Sequence, residues 1–355
     1  MKRVVFVAPS VAPPWTEGRK NFVRDLAQAL RIAGHSVKVL SGGVTGENSS
    51  SGVRLALAPV SVLFELRAYL HDHKDIDAVV LFPYGRFNGV TGTVNQAFLH
   101  LAQRISRAKG SPQVPLFYSC AGLSLELLGA RFAPAMTVGR SGPGLKRISL
   151  GINHRDLRWR AACDVPIRLL FLCGYQKTKP SVLQEVLDER GLRDLLAAGN
   201  ALAELGMQLT VAIPFLRDAS MQALLGSEIA RLCPALDVQL SGDVPPADAL
   251  MAHDVFVFPY RVGHAVFVPT SLLEAMSIGI PVIAADHAMY HDLTHEHENF
   301  RCGLHRPGDQ RDLVRAVKEM ARNYSVAVTR AAETREQIRE QWTLKRCADE
   351  LLAAL

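Results

Sequence analysis

The chain has 355 residues, about two domains at roughly 150 residues each, and its 48% apolar and 21% charged residues are the balance of a folded globular protein rather than a disordered one. No apolar run approaches the roughly 20 residues that span a bilayer, which excludes a transmembrane reading. The net charge of +6 divides unevenly: residues 1–160 hold 21 Lys+Arg and 9 Asp+Glu, and the remainder 19 basic and 25 acidic residues. A positive first half suggests an anionic partner, namely a phosphorylated acceptor, a membrane surface or nucleic acid. Ordinary surface lysines and arginines are the alternative, and no RNA-recognition or helix-turn-helix pattern supports nucleic acid. Six cysteines without a CxxC pair argue against a zinc ribbon or disulfide framework and for a reducing cytoplasm.

Taken in chain order, MKRVVFVAPS is charged and then apolar, but breaks at Pro9 and lacks a small-residue cleavage site. It reads as a first β-strand, not a signal peptide. Phe22, Val23, Leu26, Ala27, Leu30 and Ala33 then recur at helical spacing and Gly34 closes the helix, before a strand over 36–40. This is a β-loop-α-β unit with parallel strands and a right-handed crossover. Residues 43–52 read as a polar, glycine-rich surface loop. Further strands are expected over 54–58, 78–82, 116–120 and 135–138, with a helix near 96–108. The pattern restarts near Arg160, with strands over 168–173, 208–213, 237–241, 255–258 and 281–285. Helices are expected over 192–205, 221–233, 246–252, 271–278 and 309–322. Two such runs imply an α/β protein of two doubly wound, Rossmann-like domains, with ligands beyond the carboxyl ends of the strands in an interdomain cleft.

Three loops suit a ligand. Residues 13–20 (PPWTEGRK) lead, through Gly18, into a helix N-terminus that favours an anion. One glycine is too few for a dinucleotide fingerprint, and an ordinary βα turn is the alternative. Residues 174–191 carry Lys177, Lys179 and Arg190, side chains suited to a diphosphate. Glu185, Asp188 and Glu189 in the same stretch leave a solvated loop as the other reading. Residues 259–274 run past Gly263 and through Thr270 and Ser271 into a helix whose first turn carries Glu274. Its carboxylate on an otherwise apolar helix needs a partner, either a ligand's hydroxyls or backbone N–H groups at the helix start. His287 and His291 have metal-ligand spacing, with His295 and His297 nearby, but no carboxylate completes a signature, so no metal site is expected.

LSGDVPPADALMAHDVFVFPY, SLLEAMSIGIPVIAAD and GLHRPGDQRDLVRAV, in that order, closely resemble the donor domain of family 4 retaining glycosyltransferases of the two-Rossmann-domain (GT-B) type. VVFVAPSVAPPWTEG and FVRDLAQALRIAGHSVKVLSGG resemble the acceptor domain, ISLGIN the interdomain segment, and QWTLKRCADELL with Trp342 the closing helix. The resemblance implies domains over 1–160 and 161–334, with 335–355 crossing back to the first. It implies transfer of a sugar, with retention, from a nucleotide diphosphate sugar to a hydroxyl acceptor, by a cytoplasmic enzyme needing neither metal nor cofactor. The basic first half adds an acceptor that is anionic or lies at the inner membrane face.

In the resemblance, Glu274 matches the second glutamate of a Glu-x7-Glu motif and would hold the ribose hydroxyls. Residues 241–244, with Gly242 and Val244, would flank the base, and Arg190 would bind the diphosphate. Glu17–Gly18 falls where a Gly-Gly pair approaches the donor phosphate. Three positions depart from the pattern: Val266 stands at the first motif glutamate, Tyr175 at an arginine after the donor-loop glycine, and Ala121 near an acceptor-domain histidine. A relative that binds a nucleotide sugar or glycan without turnover is the competing expectation.

Overall fold

The computed structural model describes residues 1–11, 18–42, 52–83, 87, 89–118, 124–139, 141–154, 159, 167–261, 269–287, 293 and 303–355, with side chains from residue 59 within 52–83. The chain forms two compact units. One gathers Met1–Asn153 and Trp342–Leu355, and the other residues His154–Gly263 and Pro269–Gln341.

The first unit is a six-stranded sheet of β1 (Arg3–Val7), β2 (Ser36–Leu40), β3 (Ala78–Leu81), β4 (Gln113–Phe117), β5 (Ala135–Val138) and β6 (Leu145–Ile148). The order is β2-β1-β3-β4-β5-β6 and every pair is parallel. A parallel sheet is covered on both faces, so β1 and β3 are continuous valine-rich runs rather than alternations. The helices are α1 (Gly18–Ile32), α2 (Gly52–Asp72), α3 (Gly89–Ala108) and α4 (Leu125–Phe132). Val62, Leu66 and Leu70 of α2 join Phe98, Leu99, Phe117 and Phe132 in one core beneath the sheet.

The strand expected over 54–58 is instead the first turns of α2, which runs on through Pro59. A five-residue apolar run does not reveal its period, and the buried residues beyond it at spacing four decide for a helix. Of the expected 43–52 loop, 43–51 lie outside the described residues and Gly52 starts α2. Neither α4 nor β6 is anticipated by the sequence reading. The helix α4 is short and held by Ser124, whose hydroxyl accepts from the Leu127 N–H at 3.3 Å. In β6 only Leu145 and Ile148 are buried.

The second unit is also a six-stranded sheet, of β7 (Arg168–Leu172), β8 (Gln208–Ala212), β9 (Asp237–Ser241), β10 (Val255–Phe258), β11 (Val282–Ala285) and β12 (Leu304–His305). Its all-parallel order is β12-β11-β10-β7-β8-β9. The stretch 174–191 is not one loop, because it contains α5 (Pro180–Asp188). Pro180 at the first turn and buried Leu183, Val186 and Leu187 at helical spacing account for it. The helix expected over 192–205 is two, α6 (Leu192–Ala197) and α7 (Gly199–Glu204). A 3-10 turn, Pro214–Arg217, then α8 (Ala219–Leu232), α9 (Pro246–Met251), α10 (Thr270–Ile278), α11 (Gln310–Arg322) and α12 (Tyr324–Gln341) complete the unit.

The tail helix, α13 (Leu344–Ala354), belongs to the first unit. Ile152 bridges Thr343, and Glu350 accepts from the Ser149 N–H at 2.5 Å and its hydroxyl at 3.0 Å. The division falls after Gln341 rather than at 334, because α12 runs unbroken through that point with Thr334 and Ile338 buried.

Candidate functional site

In a doubly wound sheet the ligand crevice opens where strand order reverses, outside the carboxyl ends of the flanking strands. In the second unit that point lies between β7 and β10. The chain leaving β7 carries Cys173, Gly174 and Tyr175; the chain leaving β10 carries Pro259, Tyr260 and Arg261. Arg190 enters between them from the end of α5.

The entry is sterically defined. Gly191 has φ +71°, and a Cβ there would sit 1.9 Å from the Pro259 carbonyl oxygen, so only glycine lets the chain pass so close. The Arg261 N–H donates to the Glu189 carbonyl at 3.0 Å, and the Arg261 guanidinium pairs with the buried Asp194 carboxylate. These contacts hold residues 189–194 against the end of β10.

The Arg190 guanidinium lies 4.7 Å from the Tyr260 ring centre and 5.3 Å from that of Tyr175. Its Nη2 donates to the Tyr175 hydroxyl at 2.8 Å and stands 3.9 Å from Glu185 Oε1. Tyr175 in turn donates to Glu185. Arg190 Nε is buried and has no hydrogen-bond partner. Burial opposes the Arg190 charge, but the neighbouring Tyr260, Cys173 and Tyr175 outweigh it and its pKa lies above the ordinary value. Burial raises the pKa of both Tyr175 and Tyr260, so these phenols stay neutral. Tyr260 directs its hydroxyl to Cys173 Sγ at 3.8 Å, and His287 Nε2 donates to the Tyr260 carbonyl at 2.6 Å.

The other sequence-derived residues fall on neighbouring elements. Lys177 and Lys179 are exposed just before α5 and make no ion pair among the described residues. Thr270 and Ser271 lie in the first turn of α10, whose N-cap residue, Pro269, supplies no side-chain cap, and the first N–H groups of a helix point out of its end. Glu274 is the fifth residue of α10, one residue past the first turn in which it is expected, and is half-buried. Gly242 follows β9, and a Cβ there would meet the Arg217 nitrogen at 2.5 Å. Arg217 Nε donates to the Gly242 carbonyl at 3.1 Å and pairs with Asp243, while Val244 is exposed. In the first unit Gly18 opens α1, and the adjacent Arg19 is buried, its guanidinium donating to the carbonyls of Pro9 at 2.7 Å and Phe82 at 3.4 Å.

Glu17, Ala121, Gly263, Val266, His291, His295 and His297 lie outside the described residues. Sequence reasoning missed Tyr260 and the role of Glu185, which turns inward from α5 instead of facing solvent. Only the helical spacing of Leu183, Val186 and Leu187 could have revealed that orientation. Arg190 thus brings a largely buried guanidinium to the strand-order reversal, with Lys177 and Lys179 exposed just before α5, a grouping of cations that suits an anion.

Residues 188–323 match the family described as "Glycosyl transferases group 1". No curated protein matches the chain. Among solved structures, the sucrose-phosphate synthase of Thermosynechococcus elongatus is similar at 16% identity and a TM-score of 0.72, over 100% of both chains. Anabaena Alr3699/HepE in complex with UDP-glucose is similar at 16% identity and a TM-score of 0.67, again over 100% of both. A glycosyltransferase from Rickettsia africae gives 12% identity and a TM-score of 0.66, over 99% of this chain and 97% of that one. The chain therefore has the GT-B fold, and residues 188–323 of its second unit are similar to the glycosyl transferases group 1 family.

Proposed function

We propose that the chain is a retaining, family 4-like glycosyltransferase that moves a sugar from a nucleotide diphosphate sugar to a hydroxyl acceptor. The observation that carries this reading is Arg190, a charged guanidinium held at the strand-order reversal inside the segment that matches the transferase domain. Arg190, Lys177, Lys179 and the start of α10 would stabilise the departing diphosphate without a metal ion. The anomeric carbon–oxygen bond to the diphosphate breaks, a bond to the acceptor oxygen forms on the same face, and the hydroxyl proton leaves with the diphosphate. Glu274 would accept hydrogen bonds from the ribose hydroxyls, and residues 241–244, with Gly242 and Val244, would border the base. An acceptor that is anionic or held at an anionic membrane surface fits the basic first half of the sequence.

The test is calorimetric titration of uridine and guanosine diphosphates into the parent and Glu274→Gln proteins, with melting temperatures alongside. Hydrogen bonds to a charged group are each worth about 1.5–3 kcal/mol. Loss of one predicts an affinity about ten- to a hundred-fold weaker in the folded variant. Unchanged affinity in a folded variant defeats the assignment.

A second reading, binding without turnover, is favoured by one observation. Arg190 is already engaged by Tyr175 and Glu185, and Tyr175 stands where the resemblance calls for a second cation. Nucleotide-dependent stabilisation with no release of nucleoside diphosphate from any nucleotide sugar would decide for it.

A further inference from the structure

Half of the large apolar side chains exposed among the described residues lie on three neighbouring helices of the first unit. Val90 is 82% and Phe64 68% exposed, and Val60, Leu101 and Leu127 are nearly half exposed. The helices α2, α3 and α4 connect β2 to β3, β3 to β4 and β4 to β5, all in one direction along the sheet, so right-handed crossovers place them on the same face. Their inward residues share one core. Along α3, Val90, Ala97, Leu101, Arg104 and Ala108 recur at spacings of three, four and seven, and all five are exposed.

Cations outnumber carboxylates on this layer. Between Asp77 and Glu126 the sequence contains no carboxylate. Arg67, Arg104, Arg107, Lys109 and Arg131 are exposed and make no ion pair among the described residues. The carboxylates of the three helices are engaged: Glu65 accepts from the Gly42 N–H at 3.1 Å, Asp72 lies 3.1 Å from its neighbour His71 Nδ1, and Glu126 of α4 also has a partner. In the second unit, by contrast, Arg315 pairs with Asp312 and Glu319, and Arg193 with Asp188 and Glu228.

We propose that the α2–α4 face of the first unit docks on a bilayer containing anionic phospholipid. Phe64, Val90, Leu101 and Leu127 enter the headgroup boundary, while Arg67, Arg104, Arg107 and Lys109 meet the lipid phosphates. Nucleic acid would satisfy the cations but offers no hydrocarbon for Phe64 and Val90. A second copy of this face would bring like charges together. The inference does not depend on the transferase reading, since it concerns only where the first unit rests.

The test is co-sedimentation of the full chain with vesicles of phosphatidylcholine alone or mixed with phosphatidylglycerol. The mixed vesicles should retain the protein at about 0.1 M salt and release it at about 1 M, where the Debye length falls from about 10 Å to about 3 Å. Phosphatidylcholine alone should not retain it. The double variant Arg104→Glu/Arg107→Glu should partition at least about tenfold more weakly. Phe64→Ser/Val90→Ser keeps every charge and should also lose about tenfold. Both variants should melt like the parent, because these side chains are exposed. Equal retention by both vesicle types overturns the proposal, as does parental partitioning of either variant. If Phe64→Ser/Val90→Ser binds like the parent and oligonucleotide strips the protein from vesicles, the face is a nucleic-acid surface. If the protein is a dimer without lipid and that variant makes it monomeric, the partner is a second copy.

Discussion

Both sheets are parallel and six-stranded but differ in strand order, β2-β1-β3-β4-β5-β6 against β9-β8-β7-β10-β11-β12, and each has an arginine at its strand-order reversal. Arg19 lies between the ends of β1 and β3, and Arg190 between those of β7 and β10. What each donates to differs. Arg19 reaches the carbonyls of Pro9 and Phe82, which are fixed parts of the strand ends. Arg190 meets two tyrosine rings, a hydroxyl and a carboxylate, all on side chains. Backbone acceptors cannot turn away without distorting the sheet, whereas side-chain partners can exchange for an anion. The same position in two parallel sheets thus holds an arginine against the backbone in one unit and one among side chains in the other.

The comparison breaks most severely at Gly191, which seats Arg190 against β10. In Gly191→Ala, a Cβ at 1.9 Å from the Pro259 carbonyl and a left-handed φ of +71° combine. The expected cost is about 3 kcal/mol or more. Hydrogen exchange should lose protection along β7 and β10 while β1 and β3 retain theirs. Uniform protection would mean that the second arginine's seat is not set by this contact.

The two arginines can then be exchanged for methionine, which keeps much of the length and removes the charge. Arg19→Met leaves two carbonyls without their donor in a buried place and should cost about 2–4 kcal/mol in urea unfolding. Its folded fraction should bind nucleoside diphosphate as the parent does. Arg190→Met should cost less, about 1–2 kcal/mol, since Glu185 and Tyr175 still have each other. Its diphosphate affinity should fall at least about tenfold. If both lose affinity, or neither does, the distinction between the two arginines fails.

Much of this plan is legible in the residues themselves. Valine-rich runs such as 78–81 and 255–258 read as buried parallel strands and are so, and Gly34 and Gly279 end helices with positive φ. Residues 54–58 mislead because five residues are too few to display a period. The site is less legible than the fold. Arg190, Lys177, Lys179 and Glu274 stand out by charge, but Tyr175 and Tyr260 are far apart in the chain and meet only through the β7–β10 pairing. The part played by Arg19 leaves no sequence pattern at all, because any carbonyl can accept from a guanidinium.

Glu350 gives the smallest effect and shows whether the first unit uses carboxylates as it uses Arg19, against fixed backbone. Burial pushes the Glu350 pKa up, but the Ser149 N–H, Arg346 and the Ser149 hydroxyl together outweigh it and hold it below the ordinary range. A carboxylate depressed in the folded state contributes stability that is present above its unfolded value, about 4.3. That contribution is lost as pH falls through the lower folded value. Glu350→Gln keeps the shape and an acceptor oxygen but removes the charge from bonds of 2.5 Å and 2.9 Å to the Ser149 N–H and Arg346 Nε. With the side chain one-third exposed, solvent screens part of the gain, and the expected loss at pH 7 is about 1–2 kcal/mol. Thermal melting of the parent and Glu350→Gln should diverge at pH 7 and converge as pH falls below about 4. The convergence should come from the parent losing stability. A difference that stays constant down to acid pH would show that Glu350 anchors α13 by shape and hydrogen bonding alone, with its charge contributing nothing.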